Sequence, residues 1–223
     1  MTKRVERPAV RSGYDTWSET YDATPNPVVA LDRRHTMRRL GARPLERVLD
    51  AGCGTGRHLR DLVAARSRPV GLDFSLGMLR VARRRLPAVD LAQADLSAPL
   101  PVRPGSFDAA LSALVGEHLG DLALHFRELF ACLRTEGRLV FSVFHPEMAA
   151  AGIEANFESG GVEYRLGAHR HTLDDYLGAI EDAGFERLEV AEHAGDEELA
   201  REIPSGRKYL GRPVLVVIEG RKR

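Results

Sequence analysis

An α/β fold with seven strands in a doubly wound, mostly parallel sheet and helices on both faces is predicted by three features of this sequence. From Arg47 onward, short apolar runs alternate with stretches of helical periodicity. Several of those runs carry few polar residues, as strands covered on both sides should. Glycines stand where the helices between them must stop. With 223 residues, 43 % hydrophobic and 29 % charged, the chain suits one full-sized domain around a single core.

The elements follow in order. Residues 12–40 read as helix, a turn at Pro25-Asn26-Pro27, and helix; residues 1–44 are expected to form an N-terminal helical lid on a main domain at 45–223. Strands are expected at Val48–Ala51, Pro69–Asp73, Asp90–Gln93, Phe107–Ser112, Arg138–Phe144, Arg187–Glu192 and Val214–Glu219. A helix from Ser75 to Leu86 turns Met78, Leu79 and Ala82 inward. Phe126, Leu129, Phe130 and Leu133, and again Leu173, Tyr176, Leu177 and Ile180, recur at i, i+3, i+4, i+7 and each lay one apolar stripe on a sheet. The first of these helices is expected to end at Gly137 and the second at Gly184, and Thr172 with Asp175 reads as a capping box. Residues 145–171 break the alternation: four glycines surround Val162–Leu166, which alternates like a short exposed strand. Ligands sit beyond the carboxyl ends of the strands in an open sheet, so this insertion is expected to face substrate.

Composition excludes several functions. Thirty-two basic side chains balance thirty-two acidic ones, leaving no global field to hold a polyanion, so no nucleic-acid partner is expected. No apolar run approaches a membrane span, and the start of the chain lacks the apolar core of a signal peptide. A cytoplasmic protein, monomer or homodimer, is expected. Cys53 and Cys132 read as free thiols. No His-x-x-x-His pair with a partner acid occurs, so no metal is expected.

Val48-Leu49-Asp50-Ala51-Gly52-Cys53-Gly54-Thr55-Gly56-Arg57 is a strand, a bare turn and a helix start, where exposed amides can meet a ligand. Asp73 ends the next strand, placed to accept two hydrogen bonds from a ribose diol. Asp95 ends the third strand and suits an exocyclic amino group. An adenosine would satisfy both acids.

Here the chain resembles the class I S-adenosylmethionine-dependent methyltransferases, specifically their small-molecule branch. The resemblance rests on Val48 to Gly56, Gly71-Leu72-Asp73-Phe74-Ser75-Leu76-Gly77-Met78-Leu79, Ala94-Asp95-Leu96, Phe107-Asp108-Ala109-Ala110 and Leu133 to Val140, in the family's order. It implies a Rossmann-like fold with S-adenosylmethionine as cofactor and a small-molecule methyl acceptor as partner. Gly52, Gly54 and Gly56 would line the methionine part, with Asp50 orienting its ammonium. Asp73 would hold the ribose, Phe74 and Met78 would flank the adenine, Asp95 and Leu96 would read its edge, and Ala113 would offer backbone to the methionine end. Tyr21 and Trp17, in a segment like the one that closes over the cofactor in many members, would shield the sulfonium.

His145, at the end of the fifth strand, is the candidate general base, and His118, after the fourth, its rival. Either could instead fix its own turn. Tyr14, Tyr164 and Arg165 are expected to touch substrate. Oxygen is the expected methyl acceptor, hydroxyl or carboxylate. The alternatives are nitrogen or carbon methylation, a nicotinamide-dependent oxidoreductase, and a cofactor-binding protein without catalysis. The turn disfavours the nicotinamide reading, because Gly-x-Gly-x-Gly differs from the Gly-x-Gly-x-x-Gly that seats a pyrophosphate.

Overall fold

A computed structural model describes residues 4–223; the first three residues, part of the predicted N-terminal segment, lie outside the described residues. Seven strands form the main sheet: β1 (Arg47–Ala51), β2 (Arg68–Asp73), β3 (Asp90–Gln93), β4 (Phe107–Ala113), β5 (Leu133–Phe144), β6 (Glu186–Ala194) and β7 (Pro213–Arg221). Their spatial order is β3-β2-β1-β4-β5-β7-β6. β3 through β5 run parallel, and β7 enters antiparallel between β5 and β6. The order reverses at β1, so the crevice beyond the carboxyl ends of β1 and β4 is where a ligand is expected.

The main helices are α1 (Val10–Trp17), α2 (Pro27–Leu40), α3 (Arg57–Ala64), α4 (Leu76–Arg85), α5 (Leu122–Cys132), α6 (Pro146–Ala150), α7 (Leu173–Asp182) and α8 (Glu197–Glu202). Neighbouring residues of β5 show how both faces are covered. Phe141 meets the ring of Phe126 on α5, centroids 5.1 Å apart, while the Ser142 hydroxyl donates to Asp32 on α2 at 2.6 Å. The core between the layers includes Leu49, Leu59, Phe107, Leu111, Phe126, Phe141 and Val217, all essentially inaccessible. No helix of the described residues is long and apolar enough to cross a membrane.

Local chemistry explains the helix ends. Asn26 accepts from Val28 N and Val29 N at the start of α2, and Thr172 with Asp175 forms the expected capping box on α7. α5 stops earlier than its periodicity suggests. Its successor β5 begins at Leu133, and Glu136 rather than Gly137 takes the positive φ of 61°. Gly137 is needed for space instead, since a Cβ there would lie 2.7 Å from the Arg134 carbonyl. α2 also departs from expectation. It lies on the sheet, burying Leu31, Asp32, Thr36 and Leu40, while α1 packs beside α4.

The two segments outside the alternation meet each other. Arg4–Glu6 pairs in parallel with Val162–Arg165, which also pairs antiparallel with Asn156–Ser159. Val162–Arg165 is therefore the half-buried central strand of a three-stranded sheet rather than an exposed one. Trp17, Phe157 and Leu166 form a small apolar cluster beneath it, separate from the main core.

Candidate functional site

The inner cavity is built by the turns that follow consecutive strands. Beyond β1 the chain passes through Gly52, Gly54 and Gly56 at φ 92°, 52° and 85°, a left-handed run that residues with a Cβ adopt only under strain. The amides of Gly52 and Cys53 donate to the Leu72 carbonyl at 2.8 and 2.9 Å, tying this turn to β2. Asp73 completes the join: its carboxylate accepts from Gly54 N and from Ser75 N, each at 2.8 Å. Burial pushes Asp73 up to about 6, against the pull of those two amides. Ser75 caps α4, accepting from Met78 N.

Gly52, Gly54, Asp73, Phe74, Met78, Asp95, Leu96, Ala113, Tyr14, Tyr21 and His118 line this one cavity. Asp95 accepts from Ser97 N at 2.9 Å, and Arg11 of α1 comes within 3.5 Å of its other oxygen while standing over the Phe74 ring. Asp50 lies fully buried, with no partner for either carboxylate oxygen. Burial pushes it up to about 7, reinforced by the charges of Asp73 and Asp32 and relieved by His58 and Arg57. An uncompensated buried carboxylate is costly, and the upward shift is how such a group avoids carrying that charge.

Two further groups face the same region and were missed in the sequence. Asp32 on α2 pairs with Nε2 of His58 on α3 at 2.7 Å, and both line the inner cavity. An acidic residue on the buried stripe formed by Leu31, Asp32, Thr36 and Leu40 was the available signal. Glu117, beside His118, is buried with Oε2 unpartnered, and burial pushes it up to about 7.

An outer cleft of about 1000 Å³ opens beside the cavity. Its walls come mainly from residues 21–33, 144–156 and 202–209, with 56–60 and 85–86; Val28, Val29, Phe144, Met148, Ile153 and Ile203 are its apolar part, Arg33, Arg60, Arg85, Glu154 and Glu202 its charged part, and Glu117 also lines it. Trp17 and Gly56 border this cleft rather than the inner cavity. Aromatic rings partition the two. Tyr14 packs against Phe74, Tyr21 and His118, and its hydroxyl shares a 2.9 Å hydrogen bond with Nε2 of His118. Burial drives His118 down to about 4, so its ring stays neutral.

Four predicted residues are absent from both linings: the fully buried Asp50, His145, Tyr164 and Arg165. His145 lines neither cavity. Its backbone N donates to the Val214 carbonyl of β7, which draws the ring toward the antiparallel edge, where Nε2 meets Glu192 at 2.8 Å and Nδ1 caps α6. A histidine at a strand's carboxyl end was a sound signal for the ligand edge, and its neighbours Phe144 and Met148 do line the outer cleft, but its imidazole turns toward Glu192 of β6. Tyr164 stacks on Phe157, centroids 4.9 Å apart, and Arg165 pairs with Glu163 at 2.7 Å. Both hold the small sheet together. Cys53 and Cys132 are buried free thiols.

Residues 49–141 match the family model described as a methyltransferase domain. The chain is 35 % identical over 143 residues to a demethylmenaquinone methyltransferase of Renibacterium salmoninarum, covering 61 % of this chain and 60 % of that one. It therefore spans well under two thirds of that relative's length. Against an uncharacterized methyltransferase of Emericella nidulans it is 32 % identical over 226 residues, covering 82 % of this chain and 78 % of the other. Among solved structures, an S-adenosylmethionine-dependent methyltransferase from Mesorhizobium loti superposes with TM-score 0.74 and 25 % identity, covering 88 % of this chain and 100 % of its own.

Proposed function

The chain belongs to the S-adenosylmethionine-dependent methyltransferase family, and from that premise we propose that it methylates a small molecule at a hydroxyl or carboxylate oxygen, with the acceptor seated in the outer cleft. The observation that carries this reading is the convergence of the bare turn at Gly52 and Gly54 with Asp73 and Asp95 on one cavity.

The residues present fit the cofactor. A Cβ on Gly54 would meet nothing within 4 Å, so the turn offers open space on its cavity side. The orphaned carboxylate of Asp50 suits an ammonium. Each Asp73 oxygen accepts one amide bond and keeps a lone pair, so it can take a ribose diol without giving up its clamp on the turns. Phe74 and Met78 would flank the adenine, Asp95 and Leu96 would meet its edge, and backbone at Ala113 would meet the methionine end. Bound S-adenosylmethionine supplies a methyl group on a positively charged sulfur, a leaving group good enough that alignment and exclusion of water remain the protein's main tasks.

Tyr14, Trp17 and Tyr21 supply the exclusion, closing the passage between cavity and cleft with rings suited to a neighbouring cation. Residues 4–23 and 145–171, joined through the small sheet, form the cover. Glu117 is the group matched to removing a proton from a hydroxyl: buried at the cleft, with a free oxygen and poised near neutrality. His118, held neutral, orients Tyr14 and accepts hydrogen bonds but is a weak base. His145 takes no part. The mixed cleft walls, apolar at Val28, Met148 and Ile153 and charged at Arg33, Arg60 and Glu202, favour an acceptor with both an apolar and a polar part.

Thermal shift and calorimetry with S-adenosylhomocysteine test the premise, since a ligand at 100 times its dissociation constant adds about 2.7 kcal/mol. A shift with NADH and none with S-adenosylhomocysteine overturns it. Transfer of labelled methyl from S-adenosylmethionine to hydroxylated or carboxylated metabolites is the expected outcome of an acceptor screen, and transfer confined to amines or carbon nucleophiles overturns the oxygen assignment.

A further inference from the structure

Asp32 is a carboxylate with every oxygen engaged. Thr36 Oγ1 and Ser142 Oγ each donate to Oδ1 at 2.6 Å, and Nε2 of His58 meets Oδ2 at 2.7 Å. Three contacts from three elements fix its position and hence the plane of the His58 ring. With Nε2 committed, the other ring nitrogen, Nδ1, is buried and has no partner among the described residues. His58 lines the inner cavity beside Gly52, Gly54 and Arg57.

A purely structural histidine–aspartate pair accounts for the first nitrogen and not the second. Burying a pair of charges gains little by itself, and buried polar atoms are nearly always hydrogen-bonded. The sign of the ring's charge narrows what Nδ1 requires. Burial disfavours the imidazolium, and Arg57 opposes it too, yet the charge of Asp32, its hydrogen bond and the charge of Asp50 together hold His58 above its ordinary value. The same pairing holds Asp32 below its own, in spite of burial. A protonated ring presents Nδ1–H as a donor, and the partner it needs is an anion. Arg57, the neighbouring cation, is already engaged by the Tyr21 ring and by Asp22.

We infer that His58, oriented by Asp32, receives the carboxylate at the amino-acid end of S-adenosylmethionine, leaving Asp50 for the ammonium. This rests on the reading above that the inner cavity holds that cofactor. The Asp32–His58 pair is thus a positioning device for one end of the ligand, built from the helix before β1 and the helix after it.

The test compares two probes by calorimetry: S-adenosylhomocysteine, and 5′-methylthioadenosine, which shares the nucleoside but lacks the amino-acid end. In His58→Gln the affinity for S-adenosylhomocysteine falls about tenfold or more, the loss expected for a hydrogen bond between charged groups, while that for 5′-methylthioadenosine changes by less than about twofold. Asp32→Asn acts in the same direction. Equal loss for both probes marks a merely structural role and overturns the inference, as does no change for either. Retained 5′-methylthioadenosine binding also reports that the variant folds.

The wild-type protein supplies the control. Binding of neither probe by the wild type removes the cofactor reading itself, a failure distinct from that of His58.

Discussion

The inner cavity and the outer cleft are neighbours assembled from different parts of the chain. The cavity draws mainly on residues 52–119, contributed by successive strand-to-helix turns, and its lining concentrates buried polar groups, Asp32, Asp73 and His58, with Asp50 fully buried nearby in sequence. The cleft is assembled mainly from three distant stretches of chain and mixes apolar side chains with exposed charges such as Arg33, Arg60 and Glu202. Chemistry in the first is held by backbone amides locked into the sheet, while the second joins main-core residues such as Phe144, Met148 and Ile203 to the small cluster around Trp17. Binding of a nucleoside and selection of an acceptor are therefore separable, and substitutions should affect one without the other.

The largest effect is expected where the cover has its own small core. Trp17 is buried and stacks on Phe157 with centroids 4.8 Å apart and planes 13° apart, and Phe157 stacks in turn on Tyr164. Trp17→Ala should cost this region about 3–5 kcal/mol. Because residues 4–6 pair with Val162–Arg165, hydrogen exchange should accelerate together in residues 4–23 and 155–166 while β1, β4 and β5 stay protected. Acceleration confined to α1 would show that the two segments are not one unit.

Asp73→Ala should strike the inner cavity alone. It removes the ribose acceptor and the clamp on Gly54 and Ser75, so affinity for S-adenosylhomocysteine should fall about a hundredfold, roughly 2.7 kcal/mol. The affinity for 5′-methylthioadenosine should fall by a similar factor, since both ligands carry the ribose. Unequal losses would place Asp73 at the amino-acid end instead.

What could be read from the sequence divides along the same line. Gly52, Gly54, Asp73 and Asp95 fall at the ends of consecutive strands, and the parallel sheet brings strand ends together whatever the rest of the chain does. The seven strands and the α7 capping box were legible for the same local reason. Asp32, His58 and Glu117 were not, because a polar side chain on an apolar stripe acquires a role only when another element supplies its partner: Ser142 is 110 residues away from Asp32. The placement of Tyr164 and Arg165 likewise depends on a pairing with residues 4–6 that no periodicity announces.

Asp50 allows the comparison to be read in stability. Its folded-state value near 7 lies above the ordinary value of 3.8, so the folded protein holds the proton more tightly than the unfolded chain. The native state is penalised progressively as pH rises from about 4 to 7 and fully above that. Asp50→Asn carries no charge at any pH. It should raise the stability of the ligand-free protein by roughly 1–3 kcal/mol at pH 8, below the ceiling of about 1.36 kcal/mol per pKa unit, and by little at pH 4. Melting curves across this range check the sign, and a stabilisation that fails to grow with pH would mean that Asp50 already has a cationic partner. The same variant should bind S-adenosylhomocysteine more weakly, which identifies the buried charge as held ready for a ligand at the expense of stability.

His145→Ala should have the smallest effect, and it tests where the site ends. The imidazole is buried, accepts from Glu147 N to cap α6, and reaches a Glu192 whose side chain is 53 % exposed. Losing the cap should cost about 0.5–2 kcal/mol, and the contact to a solvent-screened carboxylate adds little. Affinity for S-adenosylhomocysteine should stay within about twofold, because no cavity-lining residue is its hydrogen-bond partner. Methyl transfer should also persist, whereas Glu117→Gln should lower the rate and remove its rise near neutral pH. Loss of turnover in His145→Ala at unchanged melting temperature would extend the acceptor cleft to the edge formed by β5 and β7.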